Sequence, residues 1–513
     1  MADTADRAGI KEWLGLAVLA LPTLVLAIDA TVLYLALPQL GADLRPSGAE
    51  TLWIVDIYGF MIAGFLITMG SVGDRVGRRK LLMTGAVAFG AASVLAAYAS
   101  EPAVLIAARA LLGIAGATLM PSTLSLISNM FHDPTQRGFA IAIWASCFSA
   151  GVALGPLIGG LLLQYFWWGS VFLLAVPVML LLLVSSPFLL PDSRDPQPGE
   201  IDFLSVLLSL AAILPIVFGF KLIAAEGFGT VSSASIIGGL ICGAVFIHRQ
   251  LTLANPLLDV RLFSRPAFLG TLLALLIGLA AVGVTYMFVT QYLQMVENNS
   301  PLRSGLWLLP SAVAMIASSM IAQRLVQRFE AGQLVAGALI VSAAGYALLG
   351  FVDGPGDLTL VVISLVVVYT GIGPLMALGT NLVVSAAPPR RAGSAAAMSE
   401  TAMELGLALG IAVLGSVGMA VYRSQLPSGI PAESSASLAN ALAVLGDNEA
   451  LLQASKYAFT SGLSIVGWIS AAATAAISLA LLALSRRSGS SPNPELKAAM
   501  DSSSARKSPE PSN

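Results

Sequence analysis

Five ionisable side chains lie inside stretches of sequence that are otherwise apolar enough to span a membrane. Four are acids, Asp29, Asp56, Glu400 and Glu404, and one is a base, Arg109. A charge at the centre of a bilayer costs about 2.5 to 3.5 kcal/mol on insertion scales, so such residues usually face a water-filled cavity and handle ions, protons or a charged solute. The excess of acids predicts a cationic solute.

The positions of three of these groups predict a site of proton exchange. At a rise of about 1.5 Å per residue, Asp29 lies about 14 Å from the outer end of its span, and Asp56 and Arg109 lie about 9 Å below the outer ends of theirs. The three can therefore meet in the outer half of one helix bundle. Because desolvation and a nearby guanidinium act in opposite directions on a carboxylate, a movement that separates Asp29 from Arg109 would change its proton occupancy. The alternatives are a static buried ion pair, and an interfacial anchor for Asp56.

Glu400 and Glu404 are four residues apart, so on a helix they share one face with side chains about 5 to 6 Å apart. Two like charges in a low dielectric resist simultaneous ionisation, so at least one is expected to hold a proton at rest. A lipophilic cation that arrives at this face would displace that proton. The alternative for Glu400, which is nearer the cytoplasmic end, and to a lesser degree for Glu404, is simple exposure to water.

The composition predicts the membrane-spanning helices that must position these groups. Hydrophobic residues make up 57% of the chain and charged residues 11%, and the mean hydropathy is +0.86. Windows of about 20 apolar residues, the length needed to cross a bilayer, recur along the chain. We predict an all-α integral membrane protein with 14 transmembrane helices. They lie near 13–38, 52–72, 81–100, 103–127, 138–163, 168–190, 202–222, 232–248, 267–293, 304–324, 332–352, 358–384, 393–421 and 457–484.

The distribution of lysine and arginine predicts the orientation. Of the 26 basic residues, four lie in predicted outer loops: Arg45, Arg303, Arg423 and Lys456. Arg109 and Lys221 lie within spans, and the other 20 lie on the opposite side, so both termini are predicted to be cytoplasmic. The first apolar stretch is too long for a signal-peptide core and contains Asp29, so no cleavage is expected. This pattern fits a bacterial inner (plasma) membrane.

The loops predict the domain organisation. A cytoplasmic tail (1–12) precedes a six-helix bundle (13–190), and a polar, proline-rich linker opens a segment with two inserted helices (191–250). A second six-helix bundle (251–484) contains a long extracellular loop (422–456) with a possible helix from Ser434 to Leu452. A disordered cytoplasmic tail (485–513) follows.

Two glycine motifs stand out. The first joins the second and third spans and is predicted to be a conformational latch: Gly70, Gly73, Asp74, Arg75, Gly77, Arg78 and Arg79. Its glycines permit a tight turn, and Asp74 can pair with a nearby arginine or cap a helix. The alternative is an ordinary cytoplasmic turn. The second motif is predicted to be a packing seam with a proline hinge in the fifth span: Gly151, Gly155, Pro156, Gly159 and Gly160.

These features together resemble a known family. The loop GSVGDRVGRRK, the run from Arg109 to Gly116, the run GVALGPLIGG, LWIVDIY at Leu52–Tyr58 and the run from Leu26 to Pro38 are similar to motifs of the major facilitator superfamily. With fourteen predicted spans, the chain resembles the drug:proton antiporter branch typified by QacA-type and SmvA-type multidrug exporters. The resemblance covers almost the whole chain.

The resemblance implies a rocker-switch exporter of lipophilic organic cations such as quaternary ammonium compounds, dyes and biocides, and a role in antibiotic resistance. It places the five intramembrane charged residues in the proton-coupling and substrate machinery, driven by the proton gradient without a cofactor. The alternative is a facilitator-fold transporter of a lipid, an amino acid or a siderophore.

Other classes of function are disfavoured by the residues themselves. Both histidines, His132 and His248, lie in or beside predicted loops with no cysteine cluster, so neither an enzyme nor a metal site is expected. No basic, aromatic-rich patch indicates nucleic acid, and a monomer in the lipid bilayer is the default. Aromatic and methionine side chains that could line a cation cavity, or instead form an interfacial belt, are Tyr34, Trp53, Tyr58, Phe65, Tyr286, Met287, Tyr292, Trp307 and Tyr369.

Overall fold

The computed structural model describes residues 8–192, 202–226, 229–253, 256, 260–387, 392–427, 437–445 and 448–489. Within these ranges the secondary structure is helical and contains no strand. The α-helices are α1 (Ile10–Leu44), α2 (Gly48–Val76), α3 (Arg78–Ala97), α4 (Pro102–Met130), α5 (Pro134–Tyr165), α6 (Ser170–Leu173), α7 (Ala175–Leu189), α8 (Phe203–Glu226), α9 (Thr230–Thr252), α10 (Pro266–Gln291), α11 (Pro301–Leu325), α12 (Ala331–Leu349), α13 (Leu358–Ser385), α14 (Ala392–Leu409), α15 (Ser416–Gln425), α16 (Leu438–Val444) and α17 (Glu449–Gly489). Short π-helical segments follow α10 (Tyr292–Val296) and α14 (Gly410–Gly415).

Most of these helices are suited to cross a membrane. In the described ranges, 11 are long and apolar enough, or 12 when the bent helix α5 counts as one span. The helices α6 and α7 together form one of them, Ser170–Leu189. Helices α2 and α8, with 29 and 24 residues, occupy two further predicted positions. The prediction of an all-α membrane protein is confirmed, whereas the number of fourteen spans stays a prediction.

Polar residues in the short connections determine where several helices begin. Ser47 and Glu50 form a capping box at the start of α2, in which the Glu50 amide donates to Ser47 Oγ (3.2 Å) and the Ser47 amide donates to Glu50 Oε2 (2.8 Å). Asp133 caps α5 by accepting a hydrogen bond from the Gln136 amide (2.8 Å). Such caps satisfy amide groups that have no partner within the helix.

The helices extend beyond the apolar windows from which they were predicted. Helix α1 begins at Ile10 and ends at Leu44. Its polar end turns are helical too, because a helix satisfies its backbone hydrogen bonds in water as well as in lipid. Likewise, the helical bounds of α15 and α17 make the outer loop shorter than the predicted 422–456. In place of one helix over 434–452, the described part contains α16 and the separate start of α17. The predicted tails and the linker fall largely on residues 1–7, 490–513 and 193–201, outside the described residues.

The helices pack as two groups. Helices α1 to α7 form the N-bundle, in which α1 packs on α5 and α7, and α4 packs on α2 and α3. Helices α10 to α15 and α17 form the C-bundle, in which α13 packs on α11 and α12, and α17 packs on α12 and α15. The bundles meet where α1 contacts α10, where α2 contacts α14 and where α5 contacts α11. The exact domain boundaries stay a prediction.

Helices α8 and α9 lie beside the junction of the two bundles. The side chain of Leu210 on α8 lies against Gly64 of α2. Ile213 of α8 packs against a small cluster made by Phe60 of α2 and Ala408 of α14. Helix α9 packs on α8 and is largely exposed, as expected of a surface that faces lipid. The inserted pair therefore covers the seam between α2 and α14.

An ion pair ties the start of α8 to the end of α9. Arg249 donates from Nε to Asp202 Oδ2 (3.0 Å) and from Nη2 to Asp202 Oδ1 (2.9 Å). Beside it, Gln250 Nε2 donates to Ser205 Oγ (2.7 Å). The hydrogen bonds from Arg249, helped by Ser205, lower the pKa of Asp202 from 3.8 to about 2.

We expect Asp202→Asn to lower the melting temperature of the detergent-purified protein by a few degrees, equally at pH 5 and pH 8. Because the pKa of Asp202 is lowered in the folded protein, the pair stabilises it above pH 3.8 and loses this effect only as the pH falls toward 2. Thermal unfolding of the wild type and the variant at pH 5 and pH 8 measures the effect. A loss confined to one side of neutrality would contradict the assignment.

Candidate functional site

A buried ion pair joins two helices of the N-bundle. Arg109 on α4 donates from Nη1 to Asp29 Oδ2 on α1 at 2.7 Å, and the side chains are 2% and 8% exposed. The two residues meet as the helix geometry predicts. A pair so far from water is stable only while both partners stay charged and hydrogen-bonded, which makes it sensitive to any event that protonates Asp29.

Arg109 has two further contacts from α2 and a longer one from α6. Its Nε donates to the carbonyl oxygen of Ile54 at 3.3 Å. The guanidinium carbon lies 4.3 Å from the centroid of the Tyr58 ring and 5.9 Å from that of Phe172. Helices α1, α2 and α4 therefore converge on one cation.

Asp56 lies in the same helix and is 1% exposed. Such burial differs from that of an interfacial anchor, which keeps its charged end in water. The hydroxyl of Tyr34 on α1 interacts electrostatically with Asp56, Arg109 and Glu404. Asp56 is therefore part of the same electrostatic cluster.

Glu400 and Glu404 lie on α14, and both are half-buried. Gly59 of α2 lies against the backbone of Glu404, which brings this turn of the C-bundle next to the N-bundle. Glu404 interacts electrostatically with both Glu400 and the hydroxyl of Tyr58. The structure thus brings Glu404 to the Asp29 and Arg109 cluster, and partial burial distinguishes Glu400 from a residue immersed in water.

Contacts between the bundles occur in the outer halves of the helices, the halves nearer the end at which α1 ends and α2 begins. The rings of Tyr34 on α1 and Tyr286 on α10 meet edge to face, with centroids 5.2 Å apart. Near them, Gln294 in the π segment after α10 donates from Nε2 to the carbonyl oxygen of Leu35 at 3.1 Å. These contacts hold the outer halves of the bundles together.

The glycine motif of α5 provides another part of this junction. Gly151, Gly155 and Gly159 face α1, at Leu24, Thr31 and Val32 respectively. The other side of α5 faces α11, with Gly160 against the backbone of Leu302, and Pro156 against Gly305. The helix bends by 43° between Val152 and Leu154, where Pro156 cannot donate a hydrogen bond to the carbonyl four residues earlier.

Comparison with known proteins identifies the fold. The profile described as Major Facilitator Superfamily matches residues 19–411. The chain belongs to the major facilitator superfamily. It is 42% identical to the multidrug efflux pump LfrA of Mycolicibacterium smegmatis, over 91% of this chain and 95% of LfrA. It is 34% identical to the methyl viologen resistance protein SmvA of Salmonella typhimurium, over 88% and 93% of the two chains.

Solved structures agree on the fold of this superfamily member. The peptide transporter POT in complex with sulfate superposes with a TM-score of 0.66, covering 92% of this chain and 94% of that chain. Its sequence identity is 17%, so this similarity shows the fold alone.

The predicted latch of this facilitator protein differs in form from the expected loop. Helix α2 continues to Val76, and the turn into α3 is the single residue Gly77, whose φ of 109° favours glycine. Arg79 donates from Nη1 to the carbonyl oxygen of Leu190 (3.0 Å) and so ties α3 to the end of α7. The side chain of Asp74 lies outside the described residues. Its pairing stays a prediction.

Three contacts of the site were missed by sequence reasoning. These are the Ile54 carbonyl, the ring of Tyr58 over Arg109 and the close approach of Gly59 to Glu404. A partial signal existed, because a guanidinium has five N–H donors and one carboxylate cannot satisfy them all. Which neighbours supply the remainder depends on how the helices are rotated, and the sequence does not show this.

We expect Gly155→Ala to destabilise this facilitator protein by about 1–3 kcal/mol, because the added methyl group would overlap the side chain of Thr31 on α1. Gly337→Ala on α12 is the matched control, since nothing lies within 4 Å of the position of its added carbon. The control is expected to be neutral or to stabilise its helix by up to about 1 kcal/mol. Thermal unfolding in detergent compares the two variants. Equal effects would show that the contact between α1 and α5 can accommodate the added methyl group.

Proposed function

We propose that this protein is a proton-coupled multidrug efflux antiporter that exports lipophilic organic cations by alternating access. The observation that carries the proposal is the charge balance of the site. Asp29 and Arg109 neutralise each other as a buried pair, and Glu404, with Glu400 one turn away, adds acid beside them. A cation that enters between the bundles meets more carboxyl groups than basic groups, and aromatic rings.

The relatives support the export of drugs. LfrA is a multidrug efflux pump and SmvA a methyl viologen resistance protein, and this chain covers more than nine-tenths of each. Under the proposal, the chain carries cations outward across an inner membrane with both termini in the cytoplasm.

Proton exchange provides the driving force in this proposal. One charge that crosses 100 mV is worth about 2.3 kcal/mol, and one pH unit adds about 1.36 kcal/mol per proton. A proton that binds to an acid of the site from outside, and leaves to the cytoplasm, can drive a monovalent cation out through the pH difference, and the potential contributes when more protons enter than cation charges leave. Alternating access requires the outer contacts of α1 with α10 and of α5 with α11 to separate when the cation is released.

Proton release from inside-out vesicles with an acidic interior tests this proposal. Ethidium or a quaternary ammonium compound is added to vesicles with the wild type or with Glu404→Gln, which leaves the Asp29 and Arg109 pair intact. Cation-triggered release of protons by the wild type alone is the expected result. No release from either protein, across several cations and with protein verified in the membrane, would overturn cation antiport and favour a lipid, amino acid or siderophore as cargo.

A further inference from the structure

Tyr58 occupies a distinctive place beside the buried cation. Besides the more distant Phe172 ring on α6, Arg109 has three contacts: the carboxylate of Asp29, which is charged, and the Ile54 carbonyl and the Tyr58 ring, which are neutral. Ile54 and Tyr58 are four residues apart and therefore lie on one face of α2. Arg109 is thus held by a titratable group on α1 and by a pair of non-titrating ligands on α2.

The chemistry of arginine makes this division important. A guanidinium does not lose its proton in a protein, so the charge of Arg109 persists when Asp29 binds a proton. A cation that is 2% exposed and has lost its counter-ion is strongly unfavourable unless other groups stabilise it. The face of an aromatic ring attracts a desolvated cation and does so at any pH at which the ring is neutral.

We propose that Tyr58 is a positioning residue that holds the Arg109 guanidinium in place while Asp29 carries a proton. This inference rests on the proposed proton coupling and extends it to a residue that acts through Arg109. With the ring in place, Asp29 can take up and release its proton while Arg109 stays between α1, α2 and α4.

The packing around Tyr58 supports this role. Gly113, one turn after Arg109 on α4, lies directly against the backbone carbonyl of Tyr58. A side chain at position 113 would push α2 away from α4 and lift the ring off the guanidinium. The charged groups that face Tyr58 are Asp29 on α1, Arg109 on α4 and Glu404 on α14. Because three charged groups face Tyr58, the effect of its ring must be separated from that of its hydroxyl group.

Infrared titration of purified protein without cargo tests the proposal independently of transport. The carboxylic acid band of Asp29, assigned by its loss in Asp29→Asn, is followed with pH in the wild type, Tyr58→Phe and Tyr58→Leu. Tyr58→Phe keeps the ring and is expected to keep the wild-type midpoint. Tyr58→Leu leaves only the more distant Phe172 ring beside Arg109, so the guanidinium depends more on the charge of Asp29 and the midpoint should fall by about one pH unit, a tenfold change in proton concentration.

Phe89→Leu is the control for the loss of a buried ring, because it removes an N-bundle core ring on α3. It is expected to leave the midpoint unchanged. An unchanged midpoint in Tyr58→Leu, or an equal shift in Tyr58→Phe, would overturn the role of the ring. An Asp29 band that does not titrate would also overturn it, since Arg109 would never lose its counter-ion. Absence of cation-triggered proton release, with the infrared shift present, would instead count against the proposed function.

Discussion

Replacement of Asp29 or Arg109 alone is expected to destabilise the protein strongly, whereas replacement of both with neutral residues restores stability without restoring transport. Breaking a buried pair leaves one uncompensated charge and costs about 3–5 kcal/mol, while removing both charges costs much less. The side chains of this pair are 8% and 2% exposed, so the contrast should be large. Thermal unfolding and cation-driven proton release of Asp29→Asn, Arg109→Gln and the double variant measure the two effects.

The matched control for this cycle is an ion pair at the surface. Asp192 lies 4.0 Å from Arg79, with side chains 43% and 26% exposed. Its replacement by Asn is expected to change stability by at most about 1 kcal/mol, because exposed pairs are screened by water. If the double variant is as unstable as the single variants, the pair does not act as a unit. If it transports with proton exchange, coupling does not depend on this pair.

Glu404→Gln is expected to lower the rate of cation transport at least about tenfold, as loss of an intramembrane functional acid should. Glu400→Gln is expected to have a smaller effect. The effect of Glu404 is larger because this residue lies where α14 meets Gly59 of α2. It also interacts electrostatically with Tyr58 and Tyr34. Glu400 lies one turn away and interacts electrostatically with Glu404.

Uptake of ethidium into inside-out vesicles at several pH values measures this difference. Glu449→Gln, at the exposed start of α17, is the control for loss of one acid and should transport at the wild-type rate. A Glu404→Gln protein that transports normally would remove this residue from the site. A larger loss in Glu400→Gln would place the cargo nearer the first residues of α14.

Three contacts join the outer halves of the two bundles. Tyr34 meets Tyr286, Gln294 donates to Leu35, and Gly160 lies against Leu302, all between the N-bundle and the C-bundle. The charged site shares helix α1 with the first two of these contacts, and Asp29 lies a turn or more deeper in that helix than Tyr34 and Leu35. Under the proposed function, separation of the outer contacts would open the site toward the end at which α1 ends and α2 begins.

The sequence by itself determined that the chain is an all-α membrane protein and which residues are chemically unusual in it. In a bilayer every backbone group must find its partner within its own helix, so local hydropathy suffices to predict a spanning helix. The same reasoning selects Asp29, Asp56, Arg109, Glu400 and Glu404, because each stands out in its apolar context. Ordered glycine motifs added the superfamily, which the profile match confirms.

Only the tertiary structure decided which side chains meet. Spanning helices that are apolar on all sides carry little periodic signal of their inward face, so rotation and neighbours follow from packing. Asp29 and Arg109 are 80 residues apart in sequence and 2.7 Å apart in space. The stacking of Tyr58 on Arg109, the close approach of Gly59 to Glu404 and the placement of α8 over the seam depend on small residues that allow two helices to approach. Helix hydropathy is a local property, whereas the partners of a buried charge are set by the shapes of several helices at once.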